Sequence, residues 1–265
     1  MSGKGIMPVL FVGHGNPMNA IENNEFSSGW EEAAKKLPEP EAILCVSAHW
    51  ESWGTQATGP GKLETIHDFG GFPQALYGVQ YRARGSAWLS GEIKKLMGES
   101  ELTIDDGRGL DHGCWSVLSR MYPGADIPVA QLSLDQSKSG INHYETAKRL
   151  MSLRQKGVLI IGSGNMVHNL YKVRLKGEDF NQEYGFDWAN RASALFKKLI
   201  INKEDKKLCG YESLGKDADL AIPTPEHFLP LLYVIALRQP GDSMDFFNDK
   251  AVAGSLTMTS FVLGA

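Results

Sequence analysis

The sequence predicts an α/β fold, a single domain in which a central mostly parallel or mixed sheet is flanked by helices. Short apolar, β-branched runs alternate along the chain with amphipathic segments of helical periodicity, a pattern typical of helices packed on a sheet. A length of 265 residues, of which 42% are hydrophobic and 22% charged, suffices for one large domain with a buried core. No repeat, low-complexity tract or domain boundary is visible, so we expect residues 1–265 to form one domain.

Strands and helices can be assigned in order along the chain. Five short runs have the composition of buried strands, namely 8–13, 42–48, 127–134, 157–162 and 252–263. Five segments carry apolar residues at helical spacing and predict helices at 27–37, 86–98, 139–155, 182–200 and 225–237. For the last helix we expect Thr224 as the N-cap residue and Pro225 as the first helical residue. Its core face would consist of Phe228, Leu231, Leu232 and Ile235.

Two long segments remain outside these elements. Residues 50–85 are rich in Gly, Pro and aromatic side chains, and a long loop of this kind is expected to form one wall of a pocket. Residues 202–219 are charged and polar and predict an excursion on the surface.

Composition excludes several classes of protein. The net charge is −4 and the basic residues are scattered, whereas a nucleic-acid-binding protein needs a clustered basic face. No run approaches the ~18 apolar residues that a membrane span requires, and no signal peptide is recognisable. The three cysteines are widely spaced, which favours reduced thiols in a cytoplasmic protein, with Cys45 as a small core residue.

Four histidines follow or adjoin the ends of apolar runs, where an open α/β sheet has its binding crevice. They are His14, His49, His168 and His227. Because neutral imidazole is a common protein ligand for zinc and iron, these positions predict one shared metal site. Ligands from separate strand ends suit an open catalytic site better than a closed structural one.

The local sequence around each histidine refines this prediction. Glycines on both sides of His14 let backbone approach a ligand closely, and His49 ends what should be a neighbouring strand. The glycine-rich turn before His168 resembles a dinucleotide-binding loop, but Val167 occupies the place of the third glycine. We therefore interpret this turn as a device that presents His168 to the site.

The remaining candidates leave alternatives open. Either Glu226 or His227 could point into the site, since both stand at a helix start. His112 is flanked by Asp111, which could orient it as a hydrogen-bond partner. His67 either reaches the pocket or bonds to its neighbour Asp68, and His143 is expected to be solvated on a helix.

Six motifs in order make a family resemblance visible. They are Gly13-His-Gly-Asn-Pro17, Ser47-Ala-His-Trp50, His67-Asp-Phe-Gly-Gly-Phe-Pro73, Asp111-His-Gly-Cys-Trp115, Gly162-Ser-Gly-Asn-Met-Val-His-Asn169 and Pro223-Thr-Pro-Glu-His-Phe-Leu-Pro-Leu-Leu232. Together they resemble the class III extradiol ring-cleavage dioxygenases, in particular the 4,5-DOPA dioxygenase extradiol-like branch.

The resemblance implies one divalent metal ion per chain. His14, His49 and His227 match the positions that hold the metal in this branch. His168 matches the acid/base histidine, close enough to the metal to serve as a fourth ligand, and His112 matches a histidine near the substrate. Protocatechuate-type relatives use two histidines and a glutamate, so Glu226 remains an alternative third ligand, although the resemblance to the 4,5-DOPA branch favours His227. Fe(II) is the metal expected for dioxygenase activity, and an all-histidine shell also suits Zn(II).

The implied reaction is cleavage of a catechol, DOPA-like, with O2 to a muconic semialdehyde. The partners would be the small-molecule catechol and O2, with no nucleic acid and no membrane, in a monomer or homodimer. Two rival hypotheses remain: a zinc-dependent hydrolase on the same scaffold, and a non-enzymatic metal-binding or signalling relative.

Overall fold

A mixed eight-stranded sheet forms the centre of the structure, a computed structural model that describes residues 5–177 and 179–264. The strands of the chain are β1 (Val9–Gly13), β2 (Ala42–Ser52), β3 (Thr55–Thr58), β4 (Leu102–Asp105), β5 (Val129–Asp135), β6 (Val158–Gly164), β7 (Met244–Phe247), β8 (Ala251–Val252), β9 (Leu256–Thr257) and β10 (Ser260–Leu263). The order across the large sheet is β4-β3-β5-β2-β6-β1-β10-β7, and β8 and β9 form a separate antiparallel pair.

The four central strands β5, β2, β6 and β1 run parallel to one another. β3 and β10 flank them in the antiparallel direction. The side chains of central strands such as β1 and β6 are buried on both faces of the sheet, which explains why these strands are continuous apolar runs in the sequence. The carboxyl ends of the four strands therefore meet at one edge of the sheet, and the predicted α/β fold with a mixed sheet is confirmed.

Helices cover both faces of the sheet. They are α1 (Glu25–Lys36), α2 (Gln74–Tyr77), α3 (Ala87–Met97), α4 (His112–Met121), α5 (Gly140–Lys148), α6 (Asp187–Ile201), α7 (Asp205–Cys209), α8 (Lys216–Ala221) and α9 (Leu229–Ala236). In β1, Val9 and Phe11 pack in the cluster that contains α5, α6 and α9, whereas Leu10 and Val12 pack in the cluster that contains α1 and α4. Alternate side chains of one strand thus belong to the two hydrophobic layers on opposite faces of the sheet.

Helix α9 is buried along its whole length and packs against α5 and strands β6, β1 and β2. The predicted core face is buried, but so is the rest of this helix. The predicted start is wrong: the helix begins at Leu229 with Phe228 as its N-cap residue. Residues 225–228 form a turn instead, and the Thr224 hydroxyl donates to the Glu226 carboxylate and does not cap the helix.

Other predicted boundaries also change. The single strand expected at 252–263 is three short strands, because the chain reverses at Gly254 (φ 77°) between β8 and β9. The helix expected at 139–155 ends at Lys148, and a 3₁₀ turn, Met151–Lys156, follows it. The segment 202–219 is not only a polar excursion, because it contains α7 and α8 with buried apolar side chains.

Three further features bear on the predictions from composition. Segment 50–85 contributes β3 and α2 as well as loop. All three cysteines are buried free thiols, Cys45 among them in the core as expected. Across residues 5–177 and 179–264, no helix combines the length and apolarity needed to cross a membrane.

Candidate metal centre

Five histidines meet at the carboxyl edge of the parallel strands. Three of them belong to strands: His14 follows β1, His49 lies in β2 and His168 follows β6. The other two belong to helix starts: His112 begins α4 and His227 precedes α9. All five line one cleft of about 300 Å³. The structure therefore brings together the four histidines predicted from strand ends and adds His112 to them.

His14 and His49 face each other through their outer nitrogens, with 3.1 Å between the two Nε2 atoms. The other nitrogen of His14, Nδ1, lies 3.0 Å from the hydroxyl of Ser163, and this hydroxyl lies 2.5 Å from the carbonyl oxygen of Gly113. Because a carbonyl only accepts, the hydroxyl donates to Gly113 and accepts from Nδ1–H of His14. The Nε2 atom of neutral His14 then carries a lone pair.

The Nε2 atom of His49 also carries a lone pair. Nδ1 of His49 lies 3.5 Å from a carboxylate oxygen of Asp68, and this negative charge favours the proton on Nδ1. Two lone pairs facing each other at 3.1 Å repel unless a cation lies between them. Two nitrogens that share a metal at about 2.1 Å from each, at angles between square and tetrahedral, are themselves roughly 3.0–3.4 Å apart. The pair fits a divalent metal ion.

His227 is oriented by the residue before it. Its Nδ1 lies 3.1 Å from Oε1 of Glu226, and the same oxygen accepts from the Thr224 hydroxyl at 2.9 Å. Nδ1 of His227 is therefore the donor and Nε2 is free to face the cleft. The imidazole is buried among the cleft residues, with its ring centroid 5.3 Å from that of His14 and 4.9 Å from that of His49.

His168 stacks face to face on His227, with 3.4 Å between the ring centroids and 8° between the planes. The lone pair of an imidazole nitrogen lies in the plane of its ring. The lone pairs of the two rings therefore lie in nearly parallel planes, so an ion in the plane of one ring lies out of the plane of the other. One nitrogen of each ring and a carboxylate oxygen of Glu226 lie within 4.8 Å of one another, as do ring nitrogens of His14, His49 and His112.

Asp68 holds His112 at two points. It accepts from the backbone N–H of His112 at 2.9 Å, and its other oxygen lies 3.0 Å from Nδ1 of the ring. Burial alone raises the pKa of Asp68, but the hydrogen bond from His112 and its charge bring that pKa down to about 2. The predicted partner, Asp111, is wrong: its buried carboxylate caps α4 and accepts from Ser47 and Gln131.

Burial keeps the site histidines in the neutral form that binds metals. It lowers the pKa of His14 and that of His227 well below 6.5, and neighbouring imidazoles lower both further. Burial and the charge of His112 lower the pKa of His49 to about 3, against the opposing carboxylate of Asp68. Burial is also the main reason that the pKa of His168 falls to about 4. At neutral pH these rings offer lone pairs without first losing a proton.

Glycines allow the backbones of the site to approach closely. A Cβ atom on Gly113 would lie 2.5 Å from the hydroxyl of Ser47 and 2.9 Å from Cδ2 of His49. A Cβ atom on Gly164 would collide with the carbonyl oxygen of His227. Only glycine fits at either position without moving a histidine or its backbone.

Apolar side chains form the rest of the cleft wall. They come from the 50–85 segment, the turn after His168, the loop before α6 and the β8–β9 hairpin, and include Phe69, Phe72, Leu170, Phe180 and Leu256. The prediction that residues 50–85 line a pocket is confirmed by Phe69 and Phe72. A flat aromatic ring could be enclosed here beside the histidines.

Two histidines lie away from the site. His67 neither lines the cleft nor bonds to Asp68: its Nε2 lies 3.1 Å from the Val79 carbonyl, and its ring packs against Trp115. His143 is fully buried rather than solvated, with Nδ1 3.1 Å from the hydroxyl of Tyr233 on α9. Its polar neighbours in the sequence conceal that it lies on the side of α5 that packs against α9.

The sequence did not predict Ser163 as a partner of His14 or Asp68 as a partner of His112. The only available signal was their place inside two of the recognised motifs.

Comparison with known proteins agrees with this geometry. Residues 8–249 match the family model of the catalytic LigB subunit of aromatic ring-opening dioxygenase. A 4,5-DOPA dioxygenase extradiol of Escherichia coli (strain K12) is 40% identical over 262 residues, which cover 97% of this chain and 95% of that protein. The protein of the same name from Beta vulgaris is 37% identical over 265 residues, 97% of this chain and 96% of its own.

A solved structure supports the same relationship. The crystal structure of an uncharacterized protein from Escherichia coli K12 superimposes with a TM-score of 0.81 at 35% identity, covering 97% of this chain and 100% of that one. The resemblance based on six motifs is thereby confirmed, and with it the prediction of an extradiol ring-cleaving oxidoreductase. This chain belongs to the LigB family of aromatic ring-opening dioxygenases.

Proposed function

We propose that this dioxygenase opens the ring of a DOPA-like catechol to a muconic semialdehyde, with one divalent metal ion held by His14, His49 and His227. The observation that carries the proposal is the pair of Nε2 atoms, 3.1 Å apart, on His14 and His49, whose Nδ1 partners leave both with a lone pair. His227 completes the set because Glu226 accepts from its Nδ1 and leaves Nε2 facing the cleft. Glu226 is thus assigned to the orientation of a ligand and not to the metal.

The metal supplies acidity and proximity when bound: it lowers the pKa of the catechol hydroxyls and holds O2 beside the ring. Fe(II) is the ion we propose for turnover, since among the metals that imidazole binds it can exchange electrons with O2, whereas Zn(II) cannot. Three neutral imidazoles also accept Zn(II), which would then occupy the site without supporting the reaction.

His168 is the proton carrier in this proposal. Its ring lines the cleft and stacks on His227, and we assign its lone pair to the substrate and not to the metal. It takes a proton from a catechol hydroxyl and later returns one as the O–O bond breaks. A neutral imidazole can do the first and its protonated form the second.

His112 and the aromatic wall position the substrate. Asp68 fixes the Nδ1 side of His112, so the opposite nitrogen is presented to the cleft, where it can bond to a catechol oxygen. Phe69, Phe72 and Phe180 enclose the ring and exclude water from it. We further propose that one catalytic domain spans residues 1–265 and acts in the cytoplasm as a monomer or homodimer, in keeping with the three free thiols.

Reconstitution of the purified protein tests the proposal. We expect Fe(II)-loaded protein to consume O2 with L-DOPA and to form the yellow absorbance of a semialdehyde, with neither signal under nitrogen nor with Zn(II). His14→Ala and His49→Ala should lose the metal. Hydrolysis of an ester or amide by zinc-loaded protein without O2 uptake would refute the proposal, and so would full metal content in both variants.

A further inference from the structure

We propose that Ser163 is a positioning residue for metal binding, which holds His14 in a single tautomer and ring orientation by committing its own proton to the carbonyl of Gly113. The inference rests on the proposed role of His14 as a metal ligand. It adds a residue that belongs to none of the histidine or carboxylate positions of the site.

The hydrogen-bond geometry leaves one arrangement of protons. The hydroxyl of Ser163 lies 2.5 Å from the Gly113 carbonyl oxygen and 3.0 Å from Nδ1 of His14. If the hydroxyl donated to Nδ1 instead, its lone pairs would face the carbonyl oxygen at 2.5 Å and repel it. Donation to Gly113 and acceptance from His14 satisfies all three groups.

Burial fixes this arrangement of the His14 ring. Ser163 is fully buried and His14 is 2% exposed, so bulk water does not compete for either group. A change of tautomer would set the lone pair of Nδ1 against that of the hydroxyl, and a ring flip would replace Nδ1–H by a C–H. Either change loses a buried hydrogen bond, which is costly. The orientation that presents Nε2 to His49 is therefore the one that the hydroxyl stabilises.

The same hydroxyl joins three elements of the site. Ser163 lies in β6, His14 follows β1, and Gly113 lies in the first turn of α4, directly after His112. Beside it, the backbone N–H of His14 donates to the carbonyl of Gly164 at 3.1 Å. The contact thus sets the distance between the strand end that carries His14 and the helix start that carries His112.

Ser163→Ala tests the inference. Partners that orient a metal-binding histidine commonly contribute about 10- to 100-fold to metal affinity, so we expect the Zn²⁺ dissociation constant to rise by about that factor. The constant would be measured by competition with a chelator. The electronic spectrum of the Co²⁺-loaded variant should also change, because the direction of one ligand changes.

Ser260 provides a matched control. Its hydroxyl is equally buried, accepts from the backbone N–H of Gly13 at 3.0 Å and donates to the carbonyl of Met258 at 2.9 Å. It therefore has the same bonding pattern beside the same strand, but no imidazole. Ser260→Ala should lose about as much stability as Ser163→Ala but keep the Zn²⁺ affinity of the wild type. Ser163→Thr, which keeps the hydroxyl, should bind Zn²⁺ like the wild type.

A measurement on the unmodified zinc-loaded protein covers the case in which Ser163→Ala does not fold. Proton–nitrogen correlation spectra of the imidazoles should show His14 protonated at Nδ1 and bound at Nε2, with a slowly exchanging Nδ1 proton. Metal binding through Nδ1 would overturn the inference, as would unchanged affinity and an unchanged Co²⁺ spectrum in Ser163→Ala. If His14→Ala also keeps the metal, the ligand assignment itself is wrong. If only Ser163→Ala keeps it, the positioning role alone is wrong.

Discussion

Gly113→Ala should damage the metal site although it adds a good helix former to α4. The added Cβ atom would lie 2.5 Å from the Ser47 hydroxyl and 2.9 Å from Cδ2 of His49, where no rotamer change of the alanine can relieve it. Either the ring of His49 or the first turn of the helix must shift. Such a shift also moves the Gly113 carbonyl that accepts from Ser163.

Two opposing free energies set the size of the effect on stability. Replacing glycine by alanine inside a helix contributes up to about 1 kcal/mol in favour of folding. Overpacking of a well-packed core costs about 1–3 kcal/mol. We therefore expect a net loss of about 0–3 kcal/mol in the free energy of unfolding of the metal-free protein. The Zn²⁺ affinity should fall as well, because His49 is displaced.

Gly91→Ala is the matched control, since Gly91 lies exposed within α3 and a Cβ atom there would meet no atom within 4 Å. It should gain the helical contribution without a clash and leave the metal affinity unchanged. Urea unfolding of both metal-free variants and chelator competition for Zn²⁺ are the assays. If Gly113→Ala gains as much stability as Gly91→Ala and binds Zn²⁺ like the wild type, the close approach of α4 to His49 is not as described.

Three other perturbations separate the roles of the histidines. His168→Gln should lower kcat by about 10²- to 10⁴-fold with an unchanged Zn²⁺ dissociation constant, and a parallel loss of metal would make it a ligand. Glu226→Ala should weaken Zn²⁺ binding by about 10- to 100-fold, whereas His227→Ala should abolish it. Equal losses in the two variants would indicate that Glu226 is itself a metal ligand. Burial lowers the pKa of His143 to about 4, so between pH 6.5 and that value the unfolded chain takes up its proton first and stability falls as the pH falls. This residue alone should cost about 2 kcal/mol at pH 5 relative to pH 8, and urea unfolding should show His143→Gln without that part of the slope.

The central strands could be predicted because burial on both faces produces uninterrupted apolar runs, as in β6. β3 and β4 lie toward one margin of the sheet, are four residues each and carry polar side chains, so nothing in their pattern indicated strands. Helix α4 was missed for the opposite reason. It is buried on nearly every side and begins with His112 and Gly113, which hides its helical periodicity.

The histidine cluster could be predicted because each member adjoins a strand or helix end, and parallel strands bring those ends together. Its hydrogen-bond partners could not. Ser163 and His14 are separated by 149 positions in the chain, and their contact depends on the angle of one ring. Asp68 stands next to His67 in the sequence, yet its carboxylate bonds to His112, because the loop turns His67 toward Trp115.

The burial of α9 has a consequence for how the protein loses its metal. His227, a proposed ligand, stands two residues before a helix whose every residue is buried, so this side chain has no hinge of its own. Displacement of this side chain would require part of the hydrophobic core to open with it. The metal-free protein should therefore keep His227 in place, and excess Zn²⁺ at about 100 times its dissociation constant should add about 2.7 kcal/mol to the stability of the whole domain. Hydrogen exchange would detect this as equal additional protection in β1, β6 and α9.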